Sequence, residues 1–323
     1  MGLPQPPSLS RGPVPPKPLK RLRNNLIFCL LTIVYAFFNI LPLSLARRLG
    51  ALIGRLFYHL VRYERNKTLK SIAIGYPEKN DRQRREMASN VFAHLGRGGA
   101  EFMRFPRLSL AELDSWVVEV KGLEKLQAVL DSGRGVVVVT AHVGHWEMIA
   151  AWTAQKARTA GLARQLYDER LDKALNDFRR GKGITVFPRA TSIRPILKWL
   201  KGGGVLGTLA DQDTRVDSVY VDFFGRQAKT PSGPAWLAAA SGAALMTGFS
   251  RRLPGGGFSV EYQDEIPLPK GDLSKSALKA AVQEYTRRTE AYIRLAPEQW
   301  VWNHDRWKSD PAQASIGWKP GEA

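Results

Sequence analysis

The chain has 323 residues and a single cysteine, Cys29, so an internal disulfide and a cysteine-built zinc site are both excluded. Cys29 lies inside an apolar run and reads as a small hydrophobe rather than a nucleophile. Acidic residues are few beside basic ones: 29 Asp and Glu face 48 Lys and Arg, a formal net charge of +19. That excess says nothing about fold but favours acidic partners, whether nucleic acid, an anionic membrane, or an anionic substrate or carrier protein. Several catalytic signatures are absent. There is no P-loop and no G-x-S-x-G elbow. Gly202 to Gly207 fits G-x-G-x-x-G in spacing, but it precedes a strand instead of following one, so it reads as a turn. No RNA- or DNA-binding signature and no internal repeat is evident, which leaves basic charge as the only support for a non-enzymatic membrane or nucleic-acid binder.

What is present begins with one long apolar run. Residues 1–24 form a proline-rich, basic tail and are expected to be disordered. From Leu26 to Leu43 only Thr32, Asn39 and Pro42 interrupt apolar side chains. As a helix this run reaches about 27 Å, just under the bilayer core. Both flanks are basic, with Arg21 and Arg23 before and Arg47, Arg48 and Arg55 after. That symmetry favours both ends near the cytoplasm, or a tilted, partly embedded helix. Leu49 to Tyr63 reads as an amphipathic helix on the headgroups, making 25–64 a membrane-anchoring segment. The alternative is a buried hairpin of core helices.

The body, 65–308, changes character after Pro106. Val136 to Thr140 is apolar on both faces, as in a sheet covered by helices. Strand patterns follow at 163–167, 184–187, 205–210, 219–223, 244–249 and 258–262. Helix patterns lie between them at 170–180 and 193–201, and another closes the body at 274–294. Val117 to Val120 is a further short strand, and Thr230 with Pro231 reads as a helix entry. This alternation predicts an α/β fold with a largely parallel central sheet flanked by helices. Residues from 309 onward are expected to be a disordered tail.

Chemistry in such sheets collects beyond the carboxyl ends of the strands. The buried strand ends there at Ala141-His142-Val143-Gly144-His145-Trp146-Glu147. Five positions separate His142 from Glu147, too far round for one regular helix to align them. A helix starting between them, near Gly144, lets Glu147 reach back and orient His142 as a general base for acyl transfer. Gly144 lets backbone approach substrate, and amides at the helix start face an oxyanion. His145 reads as a group beside the pair or facing substrate. A metal reading of His142-x-x-His145-x-Glu147 matches no common zincin spacing, and no third ligand cluster accompanies it.

Further motifs complete the pattern: Arg62-Tyr63-Glu64-Arg65-Asn66-Lys67, Tyr76-Pro77-Glu78, Glu101-Phe102, Ala210-Asp211-Gln212-Asp213, Asp222-Phe223-Phe224-Gly225, Thr230-Pro231-Ser232-Gly233 and Trp302-Asn303-His304-Asp305-Arg306-Trp307-Lys308. With His142 and Glu147, in this order, they resemble the bacterial lipid A biosynthesis acyltransferases, late acyltransferases of the lysophospholipid acyltransferase-like superfamily, from about Leu26 to Lys308. The resemblance implies a glycerol-3-phosphate acyltransferase-like fold and an enzyme of the bacterial inner membrane facing the cytoplasm. It implies an acyl carrier protein thioester, less often acyl-CoA, as donor, a lipid A precursor hydroxyl as acceptor, and no cofactor or metal. It also implies substrate contacts at Arg164, Arg189, His304 and Arg306, while Asp211 and Asp213, at the end of the strand 205–210, read as acceptor-binding or structural. One departure is visible: the family's Arg-Pro is Arg164-Gln165 here. The same motif serves acyl transfer to other amphiphiles, such as a phosphatidylinositol mannoside, a lysophospholipid or an aminolipid.

Overall fold

The computed structural model describes residues 18–189, 191–268 and 273–309. The helices are α1 (Pro18–Ile40), α2 (Leu43–Leu60), α3 (Arg62–Gly75), α4 (Asp81–Arg104), α5 (Leu110–Ser115), α6 (Leu123–Asp131), α7 (Trp146–Thr153), α8 (Glu169–Gly181), α9 (Ile193–Lys201), α10 (Gly233–Ser241) and α11 (Lys275–Leu295). The strands are β1 (Val117–Lys121), β2 (Val136–Thr140), β3 (Thr159–Ala163), β4 (Ile184–Pro188), β5 (Val205–Leu209), β6 (Ser218–Phe223), β7 (Arg226–Pro231), β8 (Ala244–Arg252) and β9 (Phe258–Tyr262). The seven-stranded sheet runs β1-β9-β8-β2-β5-β3-β4. All its pairs are parallel except β8 with β9. Val136 to Val139 of β2 are buried on both faces, as their unbroken apolar run predicts. Because β2 and β5 are parallel neighbours in register, the loops after them emerge side by side.

Three elements differ from the sequence reading. The strand expected at 163–167 is β3, four residues earlier. Its small residues Thr159 and Ala160 are buried, whereas Leu166 and Tyr167 stay exposed. Thr230 and Pro231 end a strand, β7, and α10 starts after Ser232 with Pro234 in its first turn. β7 pairs with β6 through a tight turn in which Phe224 and Gly225 both adopt positive φ (54° and 71°). The rings of Tyr76 and Trp302 pack on Phe224 and offset its strained backbone. Helix α1 begins at Pro18, ahead of the expected tail boundary at 24, and Ser309 is tied down, its amide donating to Asp213 Oδ2 (3.0 Å). The remainder of both expected tails, 1–17 and 310–323, lies outside the described residues.

Helices α1 and α2 break at Leu41-Pro42, because proline cannot continue the hydrogen-bond ladder. Leu22 to Ile40 is long and apolar enough to cross a membrane. Yet α1 touches the body along its length. Arg170 on α8 donates to Asn25 Oδ1 (3.0 Å) and stacks over Phe28, and Asn39 donates to the Met103 carbonyl (2.8 Å). Its other face exposes Leu26, Leu30 and Ile33, and α2 likewise exposes Leu52, Ile53, Leu56 and Phe57. The inner face of α2 is built from small residues, Ala46, Gly50, Ala51 and Gly54, which lets its backbone approach α4 closely. A Cβ on Gly54 would overlap the Phe92 carbonyl oxygen. Gly54→Ala therefore forces α2 off α4, with an expected loss of about 1–3 kcal/mol and a lowered Tm by thermal denaturation.

Candidate active site

Strand β2 ends at Thr140, and the next five residues form the turn into α7. Two features pin the turn. Val143 bridges to Trp300, and the Val301 amide donates to the His142 carbonyl (3.2 Å). Gly144 sits at φ 60°, where a Cβ would overlap the Ser250 carbonyl oxygen of β8. Its glycine thus serves a close approach of two protein segments. Its amide is also spent, donating to the Gln299 carbonyl (3.0 Å). Helix α7 starts at Trp146, between His142 and Glu147 as the sequence requires. The amides of Trp146 and Glu147 find no hydrogen-bond partner among the described residues.

The side chain that orients His142 is Asp211, not Glu147. Asp211 follows β5, beside β2, and its Oδ1 meets His142 Nδ1 at 2.8 Å. Its Oδ2 accepts from the His142 backbone amide and from the Trp300 indole, both at 2.8 Å. Asp211 is buried, and burial alone would raise its carboxyl. The charge and hydrogen bond of His142, with the indole bond of Trp300, hold it down at about 2. For His142 burial acts downward, but the adjacent Asp211 carboxylate, through charge and hydrogen bond, and then Glu147 outweigh it and raise the imidazole above its ordinary value. Nδ1 is thereby committed to Asp211, and Nε2 is left without a protein hydrogen bond among the described residues. Trp146 packs edge-on against the ring, centroids 5.0 Å apart.

Glu147 turns the other way. On the first turn of α7 it faces α8, where Arg179 grips both carboxylate oxygens, Nε to Oε2 at 3.0 Å and Nη2 to Oε1. With Trp146 this pair lies at one end of an apolar cavity between α7 and the sheet. The cavity is lined by Val138, Ile149, Gly161, Ile184, Val205 and Gly207. A Cβ on Gly161 would meet nothing within 4 Å, so the missing side chain leaves open volume there.

The remaining predicted residues divide. Asp213, His304 and Arg306 join the cluster. Burial holds Arg306 down at about 10 despite the attraction of Asp211 and Asp213, and its guanidinium donates to the Lys229 carbonyl and Thr230 Oγ1. Arg306 is thus a buried brace for β7. The Nε2 of His304 is buried without a partner, and the imidazole is lowered by burial first and then by Lys308. Arg164 and Arg189 stand exposed at the carboxyl ends of β3 and β4, and Arg189 reaches Thr214 Oγ1 at 3.4 Å. His145 does not face this edge. It is a core histidine, 5% exposed, with its ring tilted against Phe105, centroids 4.4 Å apart, and burial lowers it to about 4. Trp300, Arg179 and Trp146 were not anticipated as site residues. Of these only Trp300 had a signal, lying in the same closing segment as His304. Among the described residues no cluster of three or more potential ligands could hold a metal.

Comparison with known proteins identifies the family. The family described as bacterial lipid A biosynthesis acyltransferase matches residues 17–309. The chain is 30% identical over 225 residues to a phosphatidylinositol mannoside acyltransferase of Mycobacterium tuberculosis, covering 68% of this chain and 69% of that protein. It is 27% identical over 275 residues to the lipid A biosynthesis lauroyltransferase of Escherichia coli K12, covering 84% and 88%. The lipid A biosynthesis palmitoleoyltransferase of the same organism is 24% identical over 284 residues, covering 85% and 89%. The chain belongs to the bacterial lipid A biosynthesis acyltransferase family, and it is an acyltransferase.

Proposed function

We propose that this enzyme moves a fatty acyl group from an acyl carrier protein or CoA thioester onto a hydroxyl of a lipid A precursor. The observation that carries the reading is the Asp211–His142 couple at the sheet edge, with an apolar cavity whose lining includes Trp146, the ring packed on His142. His142 Nε2 takes the proton as the acceptor oxygen attacks the thioester carbonyl. The unspent amides of Trp146 and Glu147 stabilise the resulting oxyanion. Collapse breaks the carbon–sulfur bond, and the departing thiolate takes the proton from the imidazolium, leaving ester and free thiol. Glu147 acts on His142 through charge and, with Arg179, forms the rim over which the acyl chain enters. Arg164, Arg189 and His304 are the candidates for holding the anionic groups of donor and acceptor.

The same chemistry on another amphiphile is the second reading, favoured by the 30% identity to a phosphatidylinositol mannoside acyltransferase. For location we propose a membrane-surface enzyme. A helix held to the body near Asn25 and again near Asn39, about 21 Å along its axis, lies in the plane of the bilayer face and does not cross it. The outward apolar faces of α1 and α2 supply the lipid contact.

The cavity also bears on chain length. It follows β5 from Leu209 back to Val205, about 13 Å at strand rise. An extended alkyl chain advances roughly 1.25 Å per carbon from bond geometry, so this part holds about ten carbons. The test is turnover of thioesters of graded length against a panel of lipid acceptors, by mass spectrometry of the products. Gly161→Leu should shift the optimum to shorter donors, with long donors losing about tenfold or more. An unchanged length profile would remove the cavity from the acyl path, and products formed only on lipids unrelated to lipid A would favour the second reading.

A further inference from the structure

Behind the catalytic turn, on the side of α2, lies a second cavity of about 220 Å³. It is polar where the first is apolar. Arg55 of α2, Asn90, His94 and Arg97 of α4, and Arg252 of β8 line it, with Glu298 and Gln299 on its remaining side. The guanidinium groups of Arg55 and Arg97 make no ion pair or hydrogen bond among the described residues. Arg252 is 7% exposed. It gives its two terminal nitrogens to Glu101, which Arg47 also engages, while its Nε is buried without a partner. Four arginines therefore crowd around two carboxylates, Glu101 and Glu298. Burial, and then the charge of Arg252, hold Arg97 below its ordinary value. His94 is neutral, lowered to about 3 by burial and then Arg252, so its ring hydrogen-bonds the Gly144 carbonyl (3.2 Å) without adding charge. Positive charge in excess, with Arg55 exposed at the rim, Arg97 half-buried and Arg252 buried, and with unused donors facing open volume, is the complement of a phosphate group.

We propose that this cavity is a phosphate-binding site separate from the catalytic edge. Its position indicates how phosphate arrives. Arg55 adjoins Leu56 on α2, at the border between the face packed on α4 and the exposed face carrying Leu52, Ile53 and Phe57. The mouth therefore opens at the level where lipid headgroups meet an apolar surface. The far wall is shared with the active site, since Gln299 and His94 hold the amide and the carbonyl of Gly144.

The test uses the full-length chain and two substitutions that spare the Arg252–Glu101 pair: Arg55→Gln with Arg97→Gln. A control pair, Lys70→Gln with Arg82→Gln, removes equal charge from exposed sites elsewhere. Titration with inorganic phosphate is followed by calorimetry, and flotation is measured on phosphatidylcholine vesicles with and without phosphatidylglycerol. The cavity pair should weaken phosphate binding, or abolish the preference for phosphatidylglycerol, by about tenfold or more while the control pair does neither. Loss in the vesicle arm identifies a lipid headgroup as the source, and loss in the calorimetric arm alone identifies free phosphate. Equal behaviour of the two pairs in both arms overturns the proposal. Because neither arm measures turnover, failure here leaves the acyl-transfer reading untouched.

Discussion

His142→Ala should lower kcat/KM by about two to four orders of magnitude while leaving the fold and membrane association in place. The side chain is partly exposed, and it fills no core position that α7 or β2 depends on. The substitution does leave Asp211 with one partner fewer. The Trp300 indole and the residue 142 amide still donate to its Oδ2, so the carboxylate stays anchored at one oxygen. A small drop in Tm beside a large drop in turnover is therefore the expected pattern. Full activity in this variant would dismiss the imidazole as base and with it the mechanism.

Asp211→Asn separates the two carboxylates that compete for the role of orienting group. An amide keeps the shape but cannot hold the ring by charge, and its NH₂ favours the tautomer with the proton on the wrong nitrogen. The expected loss in kcat is about two to four orders of magnitude. The pH profile adds a signature. Asp211 raises His142 above its ordinary 6.5, so the enzyme's activity climbs with pH through that raised value as the base loses its proton. Without the carboxylate the imidazole falls, and the acidic limb of the profile should move to lower pH even though the plateau is lower. A limb that stays in place would return the orienting role to Glu147. Stability carries the same couple with opposite signs. Asp211, depressed to about 2, contributes above its ordinary 3.8 and is lost as pH falls through the depressed value. His142, raised, contributes below 6.5 and is lost as pH rises through the raised value. The pair is therefore at full strength between these ordinary values, in mildly acidic solution, and turnover peaks at higher pH than stability does.

The position of His142 was legible because a buried four-valine strand announces its own end. The start of α7 between His142 and Glu147 was legible too, since five-residue spacing demands it. The partner of His142 was not. Asp211 lies 69 residues on and reaches the ring only because β5 is the neighbour of β2, and strand order leaves no mark in local pattern. Glu147 was the nearer carboxylate in sequence, but a side chain on the first turn of α7 points to α8, where Arg179 waits 32 residues away on a helix that reads as solvated. β7 escaped notice for a different reason: Arg226 to Pro231 is mostly polar, and its pairing comes from the Phe224-Gly225 turn. The burial of His145 leaves no mark in the sequence because adjacent turn residues face different sides, and only the ring of Phe105 reveals which.

The close seam between α2 and α4 separates what may drift from what may not. Gly54, and likewise Gly50 and Gly96 against each other, admit no side chain without parting the two helices, so every substitution there costs stability. Leu52, Ile53, Leu56 and Phe57 on the outward face are under no such constraint beyond being greasy. A lineage that moves into a thicker, thinner or differently charged bilayer can therefore refit its outer surface residue by residue, while the glycine seam holds α2 in place on α4.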